Sequence, residues 1–158
     1  MQLLIIGEGE ELDYLSNLAD ELKVSDAVHF LGWRENPYKY MSKSDVFVLS
    51  SLTEALPNVL IESMVCGCPI IATNCSSGIW EIIGEDEEYG LVAGRMYEVK
   101  YSASEVLDDS ELSLKMKIER VLDDEDLYLR LRDAGVERAK EFSLEKGIGE
   151  YEKLLQMK

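Results

Sequence analysis

The sequence predicts an α/β fold: a mainly parallel sheet with flanking helices. Three observations predict it. Short apolar runs alternate with stretches whose apolar residues recur at helical spacing. The runs themselves are near-continuously apolar, as in strands covered on both faces. Strand–helix alternation of this kind builds parallel βαβ units, the Rossmann-like arrangement.

The elements follow in order. Leu3–Gly7 is a short apolar strand ending in glycine, and Leu12, Leu15, Leu18, Ala19 and Leu22 recur at helical spacing. Ala27–Gly32 is a second strand, Pro37–Lys43 a short helix and Asp45–Ser51 a third strand. Pro57–Cys66 reads as a helix with Pro57 at its first position and Gly67 just past its end. Pro69–Thr73 and Gly90–Ala93 are the fourth and fifth strands. After Gly94 the pattern turns helical: Leu114, Ile118, Val121 and Leu122 share one face, Leu127, Leu131 and Ala134 another, and Leu144, Ile148, Tyr151 and Leu155 a third. The last third is therefore helical, and no internal repeat or low-complexity linker breaks the chain.

At 158 residues the chain suits one domain with a sizeable core. Its net charge of −16 argues against a nucleic-acid surface or an anionic-membrane patch, since both need clustered Lys and Arg. The acidic runs Glu85–Glu88, Asp108-Asp109 and Asp123–Asp126 read as solvated loops and helix ends. No stretch of 18 apolar residues exists, and Met1–Gly7 lacks a basic leader. A cytoplasmic protein is expected. Cys66, Cys68 and Cys75 are odd in number and lack zinc spacing, so small buried thiols in a reducing compartment are the expectation.

The chemistry concentrates between Ser50 and Thr73. There a strand ends, a loop carries Glu54, a helix opens at Pro57, and Glu62 lies about a turn and a half inside it. Ligands of open α/β sheets sit beyond the carboxyl ends of strands. A helix N-terminus at that place offers free amides and partial positive charge, a phosphate site. The amides of Ala55, Leu56, Pro57-flanking backbone and Asn58 would face a diphosphate. Glu62 could accept hydrogen bonds from vicinal ribose hydroxyls, and Glu54 would orient hydroxyls nearer a sugar. Both carboxylates are expected to face one pocket.

Glu54-Ala-Leu-Pro-Asn-Val-Leu-Ile-Glu62 resembles the Glu-x7-Glu motif of family-4 retaining glycosyltransferases. The surrounding segments resemble that family in its order: Leu4–Gly9, Val28–Trp33, Ser44–Ser51, Cys66–Thr73, Ser77–Ile83 and Ala139–Ser143. The resemblance implies a single lobe of a two-lobed GT-B architecture, a nucleotide-sugar-binding domain over residues 1–158 whose terminal helix, 143–158, would cross to an N-terminal lobe. It implies Glu54 as the catalytic carboxylate by the donor sugar and Glu62 as the ribose ligand. The backbone of Ala55, Leu56, Pro57 and Asn58 would meet sugar and phosphate, with the base held near Gly32, Trp33 and Arg34, and Gly7 in the glycine turn. The implied donor is a nucleoside-diphosphate sugar, UDP-linked, carrying a hexose or N-acetylhexosamine. The implied acceptor is a glycan or lipid-linked glycan, the transfer is retaining, and no metal or other cofactor is implied.

One departure stands out. The family pattern has an earlier strand and helix carrying Arg and Lys-Gly, whose cations hold the diphosphate. Arg34, Lys39 and Lys43 do not form that arrangement. The expectation is a fragment or split chain inactive alone, missing the acceptor lobe, with two unpaired sheet edges open to strand exchange or edge-paired self-association. The alternative is a non-catalytic truncated pseudo-enzyme or partner subunit.

Gly7-Glu8-Gly9-Glu10-Glu11 partly mimics a dinucleotide fingerprint, but the third glycine is absent and three glutamates would repel a pyrophosphate. A UDP-sugar 2-epimerase shares the two-lobed design without this motif block. Asp124-Glu125-Asp126 satisfies an Asp-x-Asp metal pattern but sits between two helices, where solvated charge is expected. His29, the single histidine, is expected as a packed core residue, and Trp33 and Trp80 as either anchors or core.

Overall fold

The computed structural model describes residues 1–85, 87–97 and 107–156. Asp86 of the first acidic run and residues 157–158 of the terminal helix lie outside the described residues. The chain runs β1 (Leu3–Ile6), α1 (Leu12–Glu21), β2 (Val28–Gly32), α2 (Tyr38–Met41), β3 (Phe47–Leu49), α3 (Asn58–Val65), β4 (Ile70–Thr73), α4 (Ser77–Ile83), β5 (Leu91–Ala93), α5 (Asp109–Asp123), α6 (Glu125–Ala139) and α7 (Leu144–Gln156). Every expected strand is present, shortened by one to four residues, and every pairing is parallel. Helix α4 has no counterpart among the periodic segments expected from sequence.

The strands form two sheets. β1 pairs β2, and β3-β4-β5 form the second, so β1 and β3 each have one hydrogen-bonded neighbour among the described residues. Between β1 and β2 the register slips, with Ile5 opposite Phe30 and Ile6 opposite Gly32. Gly32 takes φ +65°, a conformation that glycine enters at little cost.

The core sits on the two faces of the second sheet. Ile70 and Ala72 of β4 pack with Leu60 and Met64 of α3, with Ile79, Ile82 and Ile83 of α4, and with Ala139. Ile71 points the other way and packs with Leu91, Val121, Leu127 and Leu131. This is the period of two that a strand imposes. All four residues of β4 are buried, as expected for a strand covered on both faces. β1 departs from that expectation: Leu3 and Leu4 are exposed, and Ala19 is the only fully buried residue of α1. The βαβ unit at the start of the chain therefore has an uncovered apolar face.

Helix ends are managed by local chemistry. Gly67, at φ +69°, closes α3 with a Schellman motif: Cys68 N–H donates to Ser63 O at 3.1 Å and Gly67 N–H to Met64 O at 2.9 Å. The acidic runs have specific partners rather than being merely solvated. Asp108 and Glu111 form a capping box at the start of α5, and Asp124 accepts from Leu127 N–H at 2.9 Å at the start of α6. The Asp-x-Asp pattern at Asp124 thus begins with a helix cap.

Glu87 ties the turn before β5 to the helices. Its carboxylate accepts from Lys117 Nζ at 2.9 Å and Arg120 Nη1 at 2.7 Å, and Arg130 donates to its carbonyl at 3.3 Å. Its backbone stands at φ +60°, unfavourable for a residue with a Cβ. Burial pushes the Glu87 carboxyl up, but the Lys117 and Arg120 hydrogen bonds and charges outweigh it and hold the group below its ordinary value. A depressed folded value means stability present above the unfolded value, about 4.3, and lost as the pH falls through the folded one. Glu87→Gln is expected to cost about 1–2 kcal/mol at pH 7. Urea melts at pH 7 and pH 3 check this: the gap between wild type and variant should narrow as the pH falls.

Candidate functional site

The carboxyl ends of β3 and β4 build the candidate site. Thr73, the last residue of β4, is fully buried. Its hydroxyl donates to Ser51 O at 2.6 Å, just past the end of β3. Ser51 Oγ in turn donates to Glu54 Oε1 at 2.9 Å. Beyond β4, Ser76 Oγ donates to Ala55 O at 3.3 Å. Gly78 lies so close beneath the loop that a Cβ there would stand 2.0 Å from Ala55 O and 3.1 Å from Leu56 Cα. The loop from Ser51 to Leu56 is thereby fastened to β4 and α4 at three points.

Pro57 is buried, with φ −78° and ψ 92°. Its extended ψ makes it the N-cap of α3, so Asn58 is the first helical residue, one later than the sequence pattern indicates. No side chain caps this helix and no acidic residue occupies its first turn. α5 and α6 are capped by Asp108 and Asp124, whereas α1, α2 and α4, like α3, carry no side-chain cap. The first amides and partial positive charge of α3 are thus not engaged by its own side chains.

Glu54 lies in the loop before α3 and Glu62 within the helix, and both are half-buried. Glu62 sits on α3 a turn before Cys66; burial, then the charge of Glu62, raises the Cys66 thiol. Ala55, Leu56 and Asn58 are exposed. One cavity of about 340 Å³ lies between Met1, Met96 and the Leu114–Leu122 face of α5, and another of about 250 Å³ is lined by Trp80, Glu87, Val92 and Lys117; neither of these two is lined by Glu54 or Glu62.

The second group of expected site residues lies on the first sheet. Gly7 and Gly32 follow or end β1 and β2 and meet directly, Gly7 N–H donating to Gly32 O at 3.0 Å. Both have positive φ, +140° and +65°. Trp33 is 65% exposed, which removes it from the core, and Arg34 is exposed with Nη1 donating to Trp33 O at 3.3 Å. Trp80 is also exposed, with Nε1 donating to Asn74 Oδ1 at 2.9 Å. Among the described residues no hydrogen bond joins the Gly7, Gly32–Arg34 group to the Glu54–Glu62 group. Both groups share one end of parallel strands, but they stand on separate sheets.

Two expectations are corrected. His29 is not core: it is half-buried, with Nε2 2.8 Å from Gln2 Oε1, because its strand lacks the covering layer that would bury it. Cys66 is half-buried, whereas Cys68 and Cys75 are buried; burial pushes the Cys68 thiol up to about 11, with a hydrogen bond from Ser63 acting the other way. The residues that sequence reasoning missed are Ser51, Thr73, Ser76 and Gly78, the fastenings of the loop. Their signal was present only as polar or small residues at the ends of two apolar strands.

Comparison with known proteins gives this geometry a family. Residues 1–138 match the family described as Glycosyl transferases group 1. A Campylobacter jejuni N-acetylgalactosamine-N,N'-diacetylbacillosaminyl-diphospho-undecaprenol 4-alpha-N-acetylgalactosaminyltransferase is 44% identical over 92 residues, which is 58% of this chain and 25% of that protein. An uncharacterized glycosyltransferase of Methanocaldococcus jannaschii is 32% identical over 98% of this chain and 42% of its own length. The chain thus spans well under half the length of these curated relatives. Among solved structures, a pneumococcal O-GlcNAc transferase, GtfA, in complex with UDP and GlcNAc superposes with TM-score 0.77 at 20% identity, over 99% of this chain and 29% of that one. The Thermosynechococcus elongatus sucrose-phosphate synthase does so with TM-score 0.73 at 26% identity, over 98% of this chain and 38% of that one. The fold is that of one lobe of the GT-B glycosyltransferases, and the chain belongs to the group 1 glycosyl transferases.

Proposed function

We propose that this chain is the donor-binding domain of a retaining glycosyltransferase that moves a hexose or N-acetylhexosamine from a UDP-sugar to a glycan or lipid-linked acceptor. The observation that carries the reading is the uncapped N-terminus of α3 flanked by Glu54 and Glu62 at the carboxyl end of β3. A diphosphate is the ligand that such a helix end favours, and two acidic side chains beside it suit the hydroxyls on either side of the diphosphate. Glu62 takes the ribose, Glu54 takes the donor sugar, and the backbone of Ala55, Leu56, Pro57 and Asn58 meets the phosphates. Gly32, Trp33 and Arg34 hold the base, and Gly7 lies in the glycine turn beside Gly32. The helix end carries part of the leaving diphosphate's charge, so the transfer needs no metal.

The names of the relatives support the substrate class: the Campylobacter protein's describes an N-acetylgalactosaminyl transfer to a lipid-diphospho acceptor, and the pneumococcal structure holds UDP and GlcNAc. The acceptor belongs to a second lobe, toward which α7 extends its exposed Leu144, Ile148, Tyr151 and Leu155. A second reading, a partner subunit or pseudo-enzyme without turnover of its own, is favoured by the split sheet, which leaves β1 and β3 in separate sheets. Both readings require nucleotide binding here. Ligand-observed NMR with UDP, GDP, ADP and NAD tests that. Weak binding of UDP in preference to the others is expected. No binding of any uridine nucleotide, or preference for NAD, overturns the assignment.

A further inference from the structure

Of the polar groups outside the glutamates themselves, the most connected lie under the loop that carries Glu54. Thr73 is fully buried, yet its hydroxyl is used twice: it donates to Ser51 O at 2.6 Å and stands 3.5 Å from Leu49 O. The last residue of β4 therefore holds the chain where β3 ends, 22 residues away in sequence. Ser51, fixed in this way at its backbone, spends its own hydroxyl on Glu54 Oε1 at 2.9 Å. Glu54 has one oxygen engaged by the protein, and Oε2 has no hydrogen-bond partner among the described residues. An unrestrained glutamate on a loop samples many rotamers; one with an anchored oxygen does not.

We infer that Ser51 is a positioning residue: braced by Thr73, it orients the Glu54 carboxylate toward the sugar moiety of the donor. The inference rests on the proposed donor site and adds to it a route from the sheet to the sugar-contacting group. The hydroxyl acts only through Glu54. Its loss should therefore leave contacts to the nucleotide intact and weaken those to the sugar. A serine that merely shaped the turn would weaken both together, because the loop also carries the amides next to the diphosphate.

The test uses the full chain and calorimetric dissociation constants for UDP, UDP-N-acetylglucosamine and UDP-N-acetylgalactosamine. The readout is the ratio of UDP affinity to that of the tighter sugar nucleotide, in wild type, Ser51→Ala and Ser51→Thr, each first shown to melt like the wild type. In Ser51→Ala the advantage of the sugar nucleotide is expected to fall about tenfold, the scale of one hydrogen bond to a charged group, with UDP affinity changed less than twofold. Ser51→Thr, which keeps the hydroxyl, should restore the ratio. An unchanged ratio with intact UDP binding overturns the positioning role alone, and so does an equal loss for all ligands. Absence of UDP binding in the wild type overturns the donor-site reading and this inference with it. If Ser51→Ala does not fold, Glu54→Gln supplies the same readout: an unchanged ratio there removes Glu54 from the sugar and ends the proposal.

Discussion

Gly78→Ala is expected to destabilise the chain by about 3 kcal/mol and to weaken UDP binding at least tenfold. The cause is steric and local. A Cβ at this position would stand 2.0 Å from Ala55 O and 3.1 Å from Ala55 C and Leu56 Cα. The atoms in the way are backbone, so no side chain can turn aside. Either α4 retreats from the sheet or the loop between Ser51 and Pro57 lifts. α4 contributes the buried Ile79, Ile82 and Ile83 to the core, so its retreat is the costlier route. The loop should lift instead, and it carries Glu54 and the approach to α3. Gly149→Ala is the control. It sits on α7 with nothing within 4 Å of its added Cβ, and an alanine there should be neutral or slightly stabilising. Urea melts and UDP calorimetry on both variants check the pair of expectations.

Glu62→Ala is expected to lower UDP affinity by at least tenfold while the melting curve stays close to the wild type's. A carboxylate that accepts from two ribose hydroxyls makes charge-assisted bonds worth about 1.5–3 kcal/mol each, part of which water repays. Among the described residues no ion pair holds the group, and its charge adds to burial in raising the neighbouring Cys66 thiol. Alanine is also the better helix former at an interior position of α3. The contrast with Gly78→Ala is the informative part: one variant loses binding together with stability, the other binding alone. Equal UDP affinity for Glu62→Ala and wild type would remove Glu62 from the site.

Much of this was legible in the sequence, for reasons that differ between elements. β4 is the clearest case, because Ile70–Thr73 is an unbroken apolar run between Pro69 and Asn74 and is buried at every residue. β1 carries a similar run, yet Leu3 and Leu4 are exposed. Periodicity reports what a segment could bury, and only the neighbours decide whether it does. Helix α4 escaped because it has seven residues and opens with Ser77-Gly78, a pair that reads as a turn. The placement of Glu54 in the loop before α3 and of Glu62 inside the helix was legible because a strand followed by a proline and an apolar helical run marks where the helix starts. The fastening of their loop was not, because Thr73 to Ser51 and Ser76 to Ala55 join residues more than 20 positions apart through single hydroxyls.

A crystal structure of the chain soaked with UDP tests the proposed binding of a nucleoside diphosphate at the start of α3. Diphosphate oxygens are expected within hydrogen-bonding distance of the backbone amides between Ala55 and Asn58, with the ribose hydroxyls on the Glu62 carboxylate. UDP seated in the groove beside Met1 and α5, or against Trp80 and Lys117, with the start of α3 bare, would contradict it.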